Sequence, residues 1–363
     1  MKKYVRGLAI VGAVTLAVAA CGSKPAEDTA GGGNDANKDF KACMVSDSGG
    51  FDDKSFNQTS YKGLEDAVKS LGVTEAKAES KSDNDYPTNM QAMVTQKCNI
   101  IVGVGFKLND STFEAAKANT AIKFALVDPG DLATLPKADN VKPLAFNTAQ
   151  SSFLAGYLAA GMSQTGKVGT FGGIKIPTVT IFMDGYAEGV RYYNQAKGKN
   201  VQVLGWDDAK QAGLFAGDFE DKAKGQNTAQ NLITQGADII FPVAGPAGLG
   251  GLQAAKASNG KVNAIWVDTD GCESAAEYCS VLLSSVFKGM DVSVQDAIKA
   301  AVDDKFDTTP YVGTLENNGT GLSPYHEFDG KIPAELKTEI DQLKKDIVSG
   351  KVPVASKAQP KAS

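Results

Sequence analysis

The chain has 363 residues, of which 42% are hydrophobic and 22% charged, with a formal net charge of −5. Such a composition belongs to a globular protein rather than a disordered or collagen-like one, and the length fits two hydrophobic cores. The acidic balance argues against nucleic acid or an anionic membrane surface as a partner.

Residues 1–20 carry Lys2, Lys3 and Arg6 and then an apolar run that ends Val18-Ala19-Ala20-Cys21. This reads as a secretory signal peptide, too short and wrongly flanked for a stable transmembrane helix. Its end resembles a bacterial lipobox, which implies cleavage before Cys21 and lipid attachment to that thiol; ordinary secretion with an incidental cysteine is the alternative. Loss of three of the 37 cations and none of the 42 acids leaves 34 against 42, a mature charge of −8. Residues 21–38 are rich in Gly, Ala, Asp and Asn without an apolar period and read as a flexible tether.

Residues 41–71 read as a buried strand, a polar glycine turn and an amphipathic helix. Leu64, Ala67, Val68 and Leu71 recur at helical spacing, and Asp53 is placed to cap the helix. The first lobe continues with strands near 100–104, 124–127 and 141–146 and helices near 87–97 and 109–119. A second set follows, with strands near 167–172, 201–206, 239–243 and 263–267 and helices near 152–164, 177–197, 222–235 and 248–258. Beyond Asp268 come a strand at 281–285, a helix at 292–303, an irregular segment at 311–330 and a last helix at 334–348.

The two sets are similar to each other. Residues 96–106, QKCNIIVGVGF, align with 235–245, QGADIIFPVAG, at an offset of 139; Ala115-Ala116-Lys117-Ala118 falls on Ala254-Ala255-Lys256-Ala257. With one residue of slip, Leu126-Val127-Asp128 falls on Trp266-Val267-Asp268. Alternating strands and helices build parallel sheets, so the fold class is α/β with two similar lobes facing one cleft. Chain that crosses between lobes more than once is the plan of a hinge-closing receptor. The expected first lobe is 39–146 plus about 269–309, the second 147–268 plus about 310–350, and 351–363 a flexible tail.

Four cysteines follow Cys21. In an exported protein they can pair, Cys43 with Cys98 because each begins a predicted strand, and Cys272 with Cys279 across a small loop; free buried thiols are the alternative.

Several stretches then carry a family resemblance: DSGGFDDKSFNQ at 47–58, ALVD at 125–128, FGG at 171–173, FEDKAKG at 219–225, FPVAGPAGLG at 241–250 and WVDTD at 266–270. They resemble the basic membrane protein family, in its purine-nucleoside-receptor branch, over essentially the whole mature chain. The resemblance implies a type I periplasmic-binding-protein fold of two Rossmann-like lobes joined by a multi-strand hinge. It also implies a lipid-anchored receptor that binds guanosine, inosine or adenosine outside the cytoplasm and passes it to the permease of an ABC importer, as a monomer without cofactor or metal. Phe56 and Phe219 match the two base-stacking aromatics, and Asp268 and Lys288 the ribose-binding pair. Asp47, Asn57 and Asp128 match polar partners from the first lobe, and Gly245 matches a glycine that lets the backbone approach the ligand. Phe106 is a candidate pocket wall, placed opposite Gly245 by the internal repeat. Pro246-Ala247 and the 272–279 loop depart from the family pattern. Trp206 is open between cleft edge, core and hinge.

Other readings stay open: the same fold for a sugar, a pyrimidine nucleoside or an amino acid, or a surface adhesin or sensor lipoprotein. An enzyme is less well supported. The lone histidine, His326, gives no two-histidine metal site, and there is no Walker A, Gly-x-Ser-x-Gly or HExxH motif.

Overall fold

The structure is a computed structural model that describes residues 36–360. The signal peptide, Cys21 and the start of the tether lie outside the described residues.

The first lobe begins β1 (Lys41–Ser46), α1 (Phe56–Leu71), β2 (Thr74–Glu79), α2 (Asp85–Thr95), β3 (Ile100–Val104), α3 (Asn109–Ala118), β4 (Lys123–Val127) and β5 (Val141–Phe146). The chain then crosses over and continues with α4 (Thr148–Met162), β6 (Lys167–Gly172), α5 (Pro177–Lys197), β7 (Gln202–Leu204), β8 (Trp206–Asp207), β9 (Ala212–Gly213) and α6 (Lys222–Thr234). It proceeds through β10 (Ile239–Val243), α7 (Gly245–Ala257), β11 (Asn263–Asp268), α8 (Gly271–Ser274), β12 (Leu282–Lys288), α9 (Met290–Val302), β13 (Tyr311–Gly313), β14 (Thr320–Leu322) and α10 (Ala334–Val348).

One six-stranded sheet runs β2-β1-β3-β4-β5-β13, all parallel, and the other β7-β6-β10-β11-β12-β14, parallel except for β14. The inner strands are apolar on both faces, as helices on both sides of a parallel sheet require. Ala42, Met44, Ile100 and Val102 pack on one side of the first sheet and Cys43, Val45, Ile101 and Phe124 on the other. Helix α1 ends at Gly72, in left-handed backbone (φ 71°), whose N–H donates to Val68 O at 3.1 Å. Its first turn is capped from two residues upstream: Asp53 accepts from the N–H groups of Ser55, Asn57 and Gln58.

The lobe limits differ from the sequence expectation. Strand β12 pairs with β11 in the second sheet, whereas α9 packs on the core of the first lobe. The crossing therefore falls at Gly289 rather than near residue 269. The return crossing lies between β13 and β14, which belong to opposite sheets only seven residues apart in sequence and are too short for a strand pattern. Residues 351–360 are not a free tail. Val352 is buried in the second core, and the Ala355 N–H donates to Glu188 Oε2 at 2.9 Å. Cys43 is bonded to Cys98 and Cys272 to Cys279.

Candidate functional site

Each strand end in a parallel sheet delivers a loop to the same edge, and ligand sites of such folds form there. The two sheets turn these edges towards each other, and between them lies a cavity of about 540 Å³, solvent mouth included. Asp47, Phe56, Asn57, Phe106, Asp128, Phe219, Gly245, Asp268 and Lys288 all line it.

At the floor, Lys288 ends β12 and meets two carboxylates, Asp128 from the first lobe in direct contact and Asp268 at 3.3 Å. All three are at least 93% buried, being 4%, 5% and 7% exposed. The two aspartates close equivalent strands, and each sits in left-handed backbone, φ 56° at Asp128 and 69° at Asp268. Asp tolerates this region better than most side chains. Burial raises both carboxyls above their usual range, with the Lys288 charge working against it. Burial alone would lower the Lys288 ammonium, but the two carboxylates outweigh it and hold the lysine above its ordinary value. Asp268 Oδ1 faces the Lys288 ammonium at 3.3 Å and has no further partner within the described residues, which leaves it capacity for another donor.

A second polar group lies on the first lobe. Asn57 donates to Asp47 Oδ1 at 2.9 Å and to Ser48 O at 3.3 Å, while its own Oδ1 has no partner among the described residues. Asp47 keeps part of its surface towards the cleft, yet burial pushes its carboxyl up to about 8, against the Asn57 hydrogen bond. Asp53 behind it is pushed by burial to about 6 even though it caps three N–H groups. Four carboxyl groups thus share the cavity with one ammonium, and Asp47, protonated below about pH 8, can donate as well as accept there.

The walls are aromatic. The Lys288 ammonium lies 5.0 Å from the Phe56 ring centre and 4.9 Å from that of Phe182. Phe219 and Phe106 each back onto a glycine: an added Cβ would fall 2.3 Å from the Phe219 ring at Gly173 and 2.8 Å from the Phe106 ring at Gly130. The Phe219 carbonyl also accepts from the Ala247 N–H at 2.8 Å, tying that wall to the start of α7. Gly245, with φ 51°, begins this helix.

Sequence reasoning passed over Asp53, Phe182 and Thr178 as lining residues. Phe182 is on α5 and 1% exposed, so its helical spacing reads as core. The Ile176-Pro177 start of α5 was the available signal for Thr178, because the N-terminal turn of a helix after a strand lies at the ligand edge. Trp206 does not line the cavity; it is buried in the second lobe with Nε1 donating to Asp184 Oδ1 at 3.0 Å.

Comparison with known proteins agrees with this geometry. The CD4+ T-cell-stimulating antigen of Listeria innocua is 31% identical over 98% of this chain and 100% of its own. The ABC transporter nucleoside-binding protein BmpA of Lactococcus lactis is likewise 31% identical, over 98% of this chain and 100% of its own. Among solved structures, an ABC transporter solute-binding protein from Aeropyrum pernix K1 superposes with a TM-score of 0.76 at 26% identity, over 86% of this chain and 92% of that one. With these relatives, two mostly parallel sheets and a cleft between them, the fold is that of the periplasmic-binding proteins. The family of ABC transporter substrate-binding proteins described as PnrA-like (Bmp) matches residues 40–347, and the chain belongs to it.

Proposed function

We propose that the chain is the lipid-anchored, extracytoplasmic receptor of an ABC importer and that it clamps a purine nucleoside between its lobes. The observation that carries this reading is the pairing of Phe56 and Phe219, one from each lobe, in a cavity floored by the Asp128–Lys288–Asp268 cluster. A purine offers two π-faces, and stacking contributes roughly 1–3 kcal/mol per base. A carboxylate accepts both hydroxyls of a cis-diol, and Asp268, held among the described residues by the Lys288 contact alone, keeps capacity for them. Among the described residues no helix is long and apolar enough to cross a membrane, and anchoring is assigned to the Cys21 thiol. The role is binding and delivery, as a monomer that hands its ligand to permease subunits.

The test is calorimetric titration of residues 22–363, refolded to remove carried-over ligand, against guanosine, inosine, adenosine, uridine, ribose and a branched amino acid. One-to-one binding of purine nucleosides is expected, with Kd between about 1 nM and 1 µM, roughly −12 to −8 kcal/mol. Asp268→Ala is expected to remove most riboside binding while leaving a free nucleobase little affected. A response to ribose or the amino acid alone would keep the fold and overturn the ligand.

A further inference from the structure

Outside the cleft, the lone histidine and the 272–279 loop, neither of which lines the cavity, meet at one place. Asp270, Cys272 and His326 bring a carboxylate oxygen, a sulfur and an imidazole nitrogen within 4.8 Å of one another. His326 Nε2 lies 2.6 Å from Asp270 Oδ2. The other oxygen of Asp270 accepts from the Cys272 N–H at 3.0 Å, which holds the carboxylate across the loop and towards the ring. Cys279, bonded to Cys272 with its Cα 4.6 Å away, places a second sulfur beside this group of three. In the disulfide neither sulfur is an effective ligand, because the metal-binding form of cysteine is the thiolate.

The two disulfides differ in access. Cys43 and Cys98 are 0% and 3% exposed inside the first lobe, whereas Cys272 and Cys279 are only half-buried. The outer bridge also closes a sequence separation of 7 rather than 55, so it removes less entropy from the unfolded chain. An accessible sulfur is the one an external thiolate can attack, so the outer bridge opens first.

We propose that reduction of Cys272–Cys279 turns this cluster into a binding site for a divalent transition metal of the zinc class, with Cys272 Sγ, Cys279 Sγ, His326 Nε2 and Asp270 Oδ2 as donors. Two molecules of an external thiol supply the two electrons and two protons, and leave as their own disulfide. The metal then displaces the protons of the two cysteine thiols. Two thiolates, one imidazole and one carboxylate form a four-coordinate set that suits zinc, at about 2.3 Å to sulfur and about 2.0–2.2 Å to nitrogen and oxygen. Asp270, Cys272 and His326 already offer atoms within 4.8 Å of one another, and Cys279 Sγ, next to Cys272 in the bridge, swings in once the bridge opens. His326 and Asp270 keep side-chain exposures of 31% and 15%, which leaves a path for the ion.

Cobalt(II) reports on such a site by colour. Residues 22–363 would be titrated with cobalt under anaerobic conditions, oxidised and after mild thiol reduction and removal of the reductant. The expected reduced protein has two titratable thiols per chain and binds one cobalt, with thiolate charge-transfer absorption in the near ultraviolet and the intense visible bands of tetrahedral coordination. The oxidised protein shows neither. His326→Ala is expected to weaken cobalt at least about 10-fold, the loss that even an outer partner of a metal ligand produces. The double variant Cys272→Ser, Cys279→Ser, which keeps the buried disulfide, is expected to abolish the bands while retaining the parent far-ultraviolet circular dichroism. Absence of the bands in reduced protein, their survival in the double variant, or unchanged affinity in His326→Ala would each overturn the assignment. None of these readouts depends on nucleoside binding.

Discussion

Phe219 can stand at the cleft because the residue behind it has no side chain. A Cβ at Gly173 would lie 2.3 Å from the ring, a contact the ring can relieve only by moving away. Gly173→Ala is therefore expected to weaken purine nucleosides about 10-fold, within the roughly 1–3 kcal/mol of a stacked base, with little change in melting temperature; unchanged affinity in calorimetry would detach Phe219 from the ligand. Asp47 leads to a pH effect. Its carboxyl is pushed up from 3.8 to about 8, so in that window the folded chain holds a proton that the unfolded chain releases, and stability falls as pH rises until it levels off above 8. Asp53 acts in the same sense but only up to about 6. Between about pH 6 and pH 8 Asp47 is thus expected to contribute a slope of at most about 1.4 kcal/mol per pH unit, alongside Asp128 and Asp268, which burial also raises. Asp47→Asn should flatten it in urea midpoints; equal slopes in parent and variant would refute the assignment. The sequence made Asp128 and Asp268 visible because one internal repeat places both at equivalent strand ends. Phe182 stayed hidden because an aromatic at helical spacing looks the same whether it faces a cleft or a core.

At the scale of elements, the central strands and long helices were legible because β1, β3, β4, β10 and β11 are continuous apolar runs, and α1 and α10 carry clear stripes. Strand β2 was not, since TEAKAE at an exposed sheet edge has the alternating charges that keep an edge from pairing with another chain. The lobe assignment of β12 failed for another reason: sequence order carries no information about which sheet accepts a strand next to a hinge. The carboxyl-terminal segment is the remaining surprise. After α10, Val352 enters the second core at 6% exposure, Ser356 Oγ donates to Asp184 Oδ2 at 2.5 Å, and Gln359 Nε2 reaches Asn147 Oδ1 at 3.3 Å, beside the first crossover. Truncation after Gly350 is expected to cost about 2 kcal/mol, the order of one buried valine, and to do so in the urea transition of the second lobe. A truncated chain as stable as the parent would make the segment a passive covering.

At the scale of the whole molecule, the three crossovers are bonded to one another rather than running independently. The Asn147 N–H donates to Gly313 O at 2.8 Å, the Gly289 N–H to Gly319 O at 2.9 Å, and Thr320 Oγ1 to Phe287 O at 2.7 Å. Such a band can bend as a unit, which lets the lobes move while the strand-end loops keep their internal geometry. Among the described residues the lobes touch across the cleft through few polar contacts: Lys288 with Asp128, and Trp266 Nε1 donating to Lys54 O at 3.2 Å. The first belongs to the cavity floor, so the second is the separable latch. Trp266 is fully buried and lies in β11 two residues before its last residue, Asp268, which couples the latch to a cavity-lining carboxylate through one short segment of that strand. A net hydrogen bond of about 1 kcal/mol made only in the closed form raises the closed fraction about fivefold, and ligand affinity follows that fraction when closure is required. Trp266→Phe removes the bond and keeps an aromatic ring in the core. It is expected to lose about fivefold in nucleoside affinity and to give a larger radius of gyration in X-ray scattering without ligand, with the two curves converging at saturation. If both quantities equal those of the parent at a temperature well below the variant's melting point, the Trp266–Lys54 contact does not govern closure, and the Asp128–Lys288 pair alone must hold the lobes together.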